Sequence, residues 1–166
     1  MDLSRLSVEV VDLLEKQQAK IVLAESCTAG LIAASLGQVP GVSQYLCGSM
    51  VVYREQSKIS WLDVDPSIIE ESTAVSDAAT RAIAKGVLEK TDEAAVSLGI
   101  TGHLGPGSPA ELDGQIFVAC YKRNGQTIEE LNSIQHRLES TSSRSDRQKE
   151  AASIALSQLK RSLADQ

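Results

Sequence analysis

The segment Glu25-Ser26-Cys27-Thr28-Ala29-Gly30 places hydroxyl and thiol groups directly after a short apolar run at residues 21–24. A buried strand that runs into a helix here would hold Ser26 at an edge of a sheet, where ligands commonly bind. The N–H groups at a helix start suit an oxyanion or a phosphate. The same residues also suit an ordinary helix cap, in which Glu25 only complements the helix dipole. Position alone therefore leaves a serine nucleophile and a helix cap both open.

A second loop is rich in glycine, with Gly102, Gly105 and Gly107 in close succession after Gly99. Glycine allows positive φ and a close approach of the backbone to a ligand, as a phosphate cradle requires. The G-x-x-G-x-G spacing is neither the dinucleotide fingerprint nor a Walker loop. A structural turn would use the same residues, so both interpretations stand.

Tyr53 ends a predicted strand and Lys58 follows five residues later, so both side chains could point into one cleft. Taken by itself, Lys58 has the character of a solvent-exposed helix residue. Neither His103 nor His136 has a partner that would make it a catalytic base, and no Ser-His-Asp order is visible. A serine nucleophile in this chain would need a base other than histidine.

Composition narrows the class of protein. The chain has 166 residues, 42% of them hydrophobic and 23% charged, which predicts one globular domain over residues 1–166. Its net charge of −6 argues against a general nucleic-acid binder, and 1 Trp, 1 Phe and 3 Tyr offer little for base stacking.

The N-terminal residues begin an amphipathic stretch, which predicts no signal peptide, and no apolar run approaches the ~20 residues that cross a bilayer. The three cysteines, Cys27, Cys47 and Cys120, are odd in number and form no C-x-x-C pair. This pattern argues against a disulfide framework or a structural zinc site and favours a reducing cytoplasm.

Helical and strand patterns alternate along the chain. Predicted helices cover residues 3–18, 30–36, 57–62, 77–90 and 146–164, with one more starting at Pro66 and with Ser76 as the cap of 77–90. Predicted strands cover 21–24, 45–53, 94–100, 115–121 and 127–136, the last two joined at Asn124-Gly125. This order predicts an α/β fold: a three-layer α/β/α sandwich with a mixed, mostly parallel sheet.

Four motifs occur in a familiar order: the segment 25–30, Tyr53 with Lys58, Ala74-Val75-Ser76, and Thr101-Gly102 with Gly105-Pro106-Gly107. Together they resemble the C-terminal domain of the CinA family, the competence/damage-inducible proteins. Stand-alone members of this family include nicotinamide-nucleotide amidohydrolases. The resemblance extends over nearly the whole chain.

The resemblance implies hydrolysis of the carboxamide of nicotinamide mononucleotide to nicotinate mononucleotide and ammonia, without metal or cofactor, by a homodimer. It implies that Ser26 is the nucleophile, Lys58 the general base and Tyr53 a third catalytic residue. The base must be a neutral amine, and burial together with a neighbouring cation such as Arg144 would lower its pKa. The resemblance also implies a set of substrate contacts: Glu25, Cys27, Thr28, Ala29, Gly30, Thr101, Gly102, Gly105, Gly107 and Arg144.

The sequence departs from the usual family pattern around the expected phosphate site. Ala29 replaces a glycine, residues 111–114 replace a Lys-Pro-x-Gly segment, and Gln148 stands where a second arginine is usual. These changes leave the Ser-Lys pair intact but alter the groups that would bind an anion. Three alternatives remain: a non-catalytic nucleotide-binding or interaction domain of the same fold, hydrolysis through Cys27 next to Ser26, and an amidase with a different substrate.

Overall fold

The computed structural model describes residues 2–139 and 143–165, which form a five-stranded sheet between two groups of helices. The two ends of the predicted domain, residues 1 and 166, lie outside the described part. The strands are β1 (Ile21–Glu25), β2 (Leu46–Val51), β3 (Val96–Gly102), β4 (Gln115–Asn124) and β5 (Thr127–Arg137). The helices are α1 (Leu3–Gln17), α2 (Leu31–Leu36), α3 (Glu55–Leu62), α4 (Pro66–Ser72), α5 (Asp77–Glu89) and α6 (Arg144–Ala164), with a 3₁₀ turn at Val42–Gln44.

The sheet has the strand order β2-β1-β3-β4-β5. β1 pairs in parallel with both β2 and β3, whereas β4 is antiparallel to β3 and to β5. Consequently β2, β1, β3 and β5 point the same way and β4 points the opposite way. The predicted mixed, mostly parallel sheet is confirmed.

Each face of the sheet has its own apolar core. On one face Leu23 and Leu98 pack with residues of α1, α2 and α6, including Leu14 and Leu156. On the other face Val22 and Ala24 pack with residues of α3, α4 and α5. Neighbouring residues of β1 thus enter opposite cores, as a strand buried on both sides requires. The predicted three-layer α/β/α architecture is confirmed.

The predicted elements are present, with shifted ends. The hairpin turn comprises Gly125 and Gln126, because Asn124 pairs with Thr127, so the turn lies one residue later than the sequence predicted. Gly125 has φ +60° and supplies the left-handed conformation there. α6 starts at Arg144, two residues early, because the Ser143 hydroxyl accepts from the N–H of Asp146 and caps the helix.

Within residues 2–139 and 143–165, no helix combines the length and apolar character needed to cross a bilayer.

The contact between α3 and α5 depends on a glycine. Gly86 of α5 lies against Leu62 at the end of α3, and a Cβ on Gly86 would overlap the Leu62 carbonyl oxygen and lie 3.3 Å from the Leu62 Cβ. α3 also carries Lys58, so this close approach helps to set where that lysine lies.

We expect Gly86→Ala to destabilise the protein by about 1–3 kcal/mol, since overpacking against backbone outweighs the ~1 kcal/mol by which alanine favours a helix. Urea denaturation would measure the loss. Lys85→Ala, at the exposed neighbouring position, is the control and should change stability by less than ~0.5 kcal/mol. A more stable Gly86→Ala protein would contradict this packing.

Candidate active site

A serine and a lysine meet at the carboxyl end of the parallel strands. Ser26 directly follows β1, and Lys58 lies in α3, shortly after the end of β2. The Lys58 Nζ lies 3.1 Å from the Ser26 Oγ and donates to the carbonyl oxygen of Val52 at 2.8 Å. The two side chains are therefore within direct proton-transfer distance of each other.

Lys58 is buried, with only 1% of its surface exposed, and Ser26 is 6% exposed. Burial lowers the pKa of Lys58 from its ordinary value of 10.5, and the nearby Cys27 and Glu55 oppose this shift. The interpretation of Lys58 as a solvent-exposed helix residue is wrong. A signal for its burial lay in the spacing, since Lys58 is four residues before the core residue Leu62 and so shares its helix face.

Arg144 was expected to lie next to Lys58 and to lower its pKa, but its hydrogen bonds are to other groups. It donates through Nη2 to the Tyr53 hydroxyl at 2.8 Å and through Nη1 to the Gly105 carbonyl. Desolvation, not a neighbouring cation, is the cause of the Lys58 shift. Tyr53 itself is 52% exposed. The structure thus brings together Tyr53, Gly105 and Arg144, three of the predicted site residues.

The carboxylate of Glu25 is completely buried and is engaged by protein donors. Its five hydrogen bonds come from the hydroxyls of Thr28 and Ser49 and from the N–H groups of Gly30, Ile32 and Ala33. Glu25 was predicted as a substrate contact, and the structure places its carboxylate inside the loop and the start of α2. It ties residues 26–30, here called the nucleophile loop after the candidate nucleophile Ser26, to the end of β1 and to β2.

The nucleophile loop has an unusual backbone. Ala29 has φ +51° and Gly30 has φ +94°, both in the left-handed region. A Cβ is disfavoured there, so the alanine at position 29 carries strain that glycine would avoid. On the other side of the loop, Gln148 of α6 donates through Nε2 to the carbonyl of Thr28 at 2.8 Å and to that of Cys27 at 3.3 Å.

Cys27 belongs to the nucleophile loop, and its side chain is buried in the core. Burial raises the pKa of its thiol to about 12, so the thiol stays protonated at neutral pH. The Cys27 sulfur also lies close to Gly102, where a Cβ would overlap Ile116 Cγ2 at 2.6 Å and lie 3.1 Å from the Cys27 Sγ. These observations disfavour Cys27 as the nucleophile.

Thr101 is buried, and its hydroxyl lies 2.7 Å from that of Thr80. Thr80 donates its own hydroxyl proton to the Ser76 carbonyl, so Thr101 is the donor of this pair.

The loop that contains Gly102, Gly105 and Gly107 contacts α6 near Gly105. The Arg147 Nη1 donates to the Asp113 Oδ1 at 2.8 Å, and Arg147 holds the pKa of Asp113 below its usual range. A Cβ on Gly105 would lie 2.9 Å from that Asp113 oxygen, so the glycine is required for the approach. Gly107 has φ +94° with open space around it. Asp113 therefore neutralises Arg147 of α6, whereas the Lys-Pro-x-Gly segment usual in the family would add a positive charge here.

A cavity of about 940 Å³ lies on the other side of this region, between α1, α2 and α6, with Leu31, Ser35 and Ser153 on its walls. Neither Ser26 nor Lys58 lines it. Both residues of the Ser-Lys pair are buried beside the carboxyl ends of the parallel strands.

A comparison with known protein families identifies the family of this chain. The sequence profile described as the CinA C-terminal domain matches residues 3–163. The chain belongs to the CinA C-terminal domain family. The resemblance found in the sequence motifs is confirmed.

Relatives in the CinA family include two called "CinA-like protein". The one from Dictyoglomus thermophilum is 43% identical over 126 residues, which cover 74% of this chain and 30% of that protein. The one from Mycobacterium leprae is 34% identical over 148 residues, or 88% of this chain and 33% of that protein. The chain thus spans about a third of the length of the curated relatives it matches.

Solved CinA superfamily structures have the same fold. A competence-damaged protein (CinA) superfamily protein from Klebsiella pneumoniae superposes with a TM-score of 0.89 at 24% identity, covering 100% of both chains. A competence/damage-inducible protein from Agrobacterium tumefaciens has a TM-score of 0.84 at 27% identity, covering 96% of this chain and 94% of the other.

The lowered pKa of Lys58 makes stability depend on pH. Between that lowered value and 10.5 the unfolded chain binds more protons than the folded one, so the free energy of unfolding rises with pH. We expect Lys58→Met to be more stable than the natural protein at pH 7, with a difference that shrinks towards pH 10. Chemical denaturation across this range would measure it.

The matched control is Lys85→Met, the same substitution at an exposed position of α5. It should show no such pH-dependent gain. A constant difference between Lys58→Met and the natural protein from pH 7 to 10 would contradict the shifted pKa.

Proposed function

We propose that this CinA-family chain is an amidohydrolase that converts nicotinamide mononucleotide to nicotinate mononucleotide and ammonia. The observation that carries the proposal is the buried Lys58 amine, 3.1 Å from the Ser26 hydroxyl and with a lowered pKa. A base of this kind is required if a serine without a histidine partner is to act as a nucleophile. Membership of a family that includes nicotinamide-nucleotide amidohydrolases supports the choice of substrate.

The geometry suits a neutral lysine. A neutral amine has two N–H donors and one lone pair, and the Val52 carbonyl occupies one of the donors. The lone pair is then available to the Ser26 hydroxyl proton. As the Ser26 oxygen attacks the carboxamide carbon, Lys58 takes this proton and then delivers it to the departing nitrogen, which leaves as ammonia.

The second half of the reaction repeats the proton transfers with water. Lys58 removes a proton from water, the hydroxide attacks the Ser26 ester, and the proton returns to the serine oxygen as the carboxylic acid leaves. No group other than the Ser-Lys pair is needed to balance protons over the cycle.

The hydrogen bonds of the loop narrow the choice of oxyanion donors. The N–H groups of Gly30 and Ile32 are bound to Glu25, and the Thr101 proton is directed to Thr80. In the described part of the chain, the N–H groups of Cys27 and Thr28 make no hydrogen bond to another residue. We assign the oxyanion to these two groups, which lie next to the nucleophile.

A screen for ammonia release from nicotinamide mononucleotide tests the reaction. We expect Ser26→Ala and Lys58→Met each to lower kcat/KM by about 10³-fold or more, because either change removes the covalent route. Cys27→Ala is the control and should keep its activity. Nucleotide binding without turnover by the natural protein would instead favour the non-catalytic alternative.

Asp113, which lies near the expected phosphate site, leads to a prediction on the preference for a phosphorylated substrate. Arg144 is the cation placed next to Tyr53 and Gly105, while Arg147 is paired with Asp113. Asp113→Asn takes one carboxylate from this region, so we expect a KM for the mononucleotide about threefold to tenfold lower. The uncharged riboside should be unaffected, which makes it the internal control. An equal change for both substrates would show that Asp113 does not act on the phosphate.

A further inference from the structure

The nucleophile loop is held from two sides by two unrelated parts of the chain. Glu25, at the end of β1, accepts from the Thr28 hydroxyl at 2.7 Å and from the Gly30 N–H at 3.0 Å. Gln148, in α6, donates to the carbonyls of Thr28 at 2.8 Å and Cys27 at 3.3 Å. The donors of the loop thus face a carboxylate, and its carbonyls face an amide N–H₂ group.

The two positions are not chemically interchangeable. A glutamate at position 148 would set a carboxylate against two carbonyl oxygens, whereas a glutamine at position 25 would turn an amide N–H₂ towards backbone N–H donors. Buried polar groups without a partner are costly, so each position favours the residue it has.

The loop needs such support, because its backbone is strained at Ala29. A non-glycine residue in the left-handed region persists where the surrounding structure determines its conformation. The Ser26 carbonyl accepts from the Ala29 N–H at 3.1 Å, so relaxation at Ala29 would be transmitted directly to the serine.

We propose that Gln148 is a positioning residue which, together with Glu25, fixes the nucleophile loop so that Ser26 stays within reach of Lys58. In the described part of the chain, Gln148 forms no hydrogen bond with Ser26 or Lys58, so it acts through the carbonyls of Cys27 and Thr28. The kinetic consequence of this role rests on the proposed amidohydrolase function, whereas its consequence for loop motion does not.

The test uses Gln148→Met, which keeps the size of the side chain and removes both hydrogen bonds. We expect kcat to fall about tenfold with KM within about twofold of the natural protein, because displacement of a nucleophile by a fraction of an ångström affects the chemical step. The hydrogen-bonded backbone amides of residues 29–33 should also exchange hydrogen faster, as expected of a loosened segment.

Two further variants complete the design. Gln158→Met makes the same substitution at a half-buried position later in α6 and should leave both kcat and exchange unchanged. Gln148→Glu, nearly isosteric with the natural residue, should impair kcat more than Gln148→Met because it repels the carbonyls. Glu25 is a poorer site for substitution, because the loss of its buried charge would leave five donors without their acceptor.

Both effects of Gln148→Met are required by the proposal. An unchanged kcat, or an unchanged exchange rate at residues 29–33, would overturn it. The rate at which a fluorophosphonate probe modifies Ser26, followed by intact-protein mass spectrometry, replaces kcat if nicotinamide mononucleotide is not the substrate. If the natural protein neither hydrolyses the nucleotide nor reacts with the probe, the proposed function fails, and hydrogen exchange alone then decides whether Gln148 holds the loop.

Discussion

The structure around Ser26 and Lys58 depends on the burial of the Lys58 amine, which the fold keeps away from water. The Lys58 Nζ contacts a backbone carbonyl and a serine hydroxyl, and among the described residues no carboxylate forms an ion pair with it. A charged lysine in that position is costly, so the surrounding structure shifts its equilibrium towards the neutral form. A residue that lowers stability in this way is typical of a catalytic position.

The sheet and its helices supply what that amine needs. The carboxyl ends of β1 and β2 bring the nucleophile loop next to the segment that contains Val52, and α3 packs closely on α5 at Gly86. α6 then reaches the loop through Gln148 and the segment after β2 through Arg144 and Tyr53. Groups far apart in sequence thus meet within hydrogen-bonding distance: the Lys58 and Ser26 side chains across 32 residues, and the Gln148 side chain and the Thr28 backbone carbonyl across 120.

Sequence patterns predicted the alternating elements and the layered fold, because hydrophobic periodicity and turn residues are local properties. The pairing of Ser26 with Lys58 came from the resemblance to the CinA family. The local sequence alone indicated Ser26 as a candidate nucleophile and Lys58 as a solvent-exposed residue. The contacts of Glu25 and Gln148 with the nucleophile loop were not predictable in this way. A glutamate before a helix usually complements the dipole, and only the folded backbone directs five donors at this one. The Asp113–Arg147 ion pair likewise joins a loop to a distant helix.

The contact between α6 and the carbonyls of Cys27 and Thr28 also bears on the order of events during synthesis. The segment with Ser26 leaves the ribosome long before Gln148 does, and until α6 docks, those two carbonyls must be hydrated. A nascent chain that already contains both Ser26 and Lys58 therefore still lacks the contacts of Gln148 that hold residues 27 and 28. The final geometry around Ser26 would form late, when α6 packs on the first core.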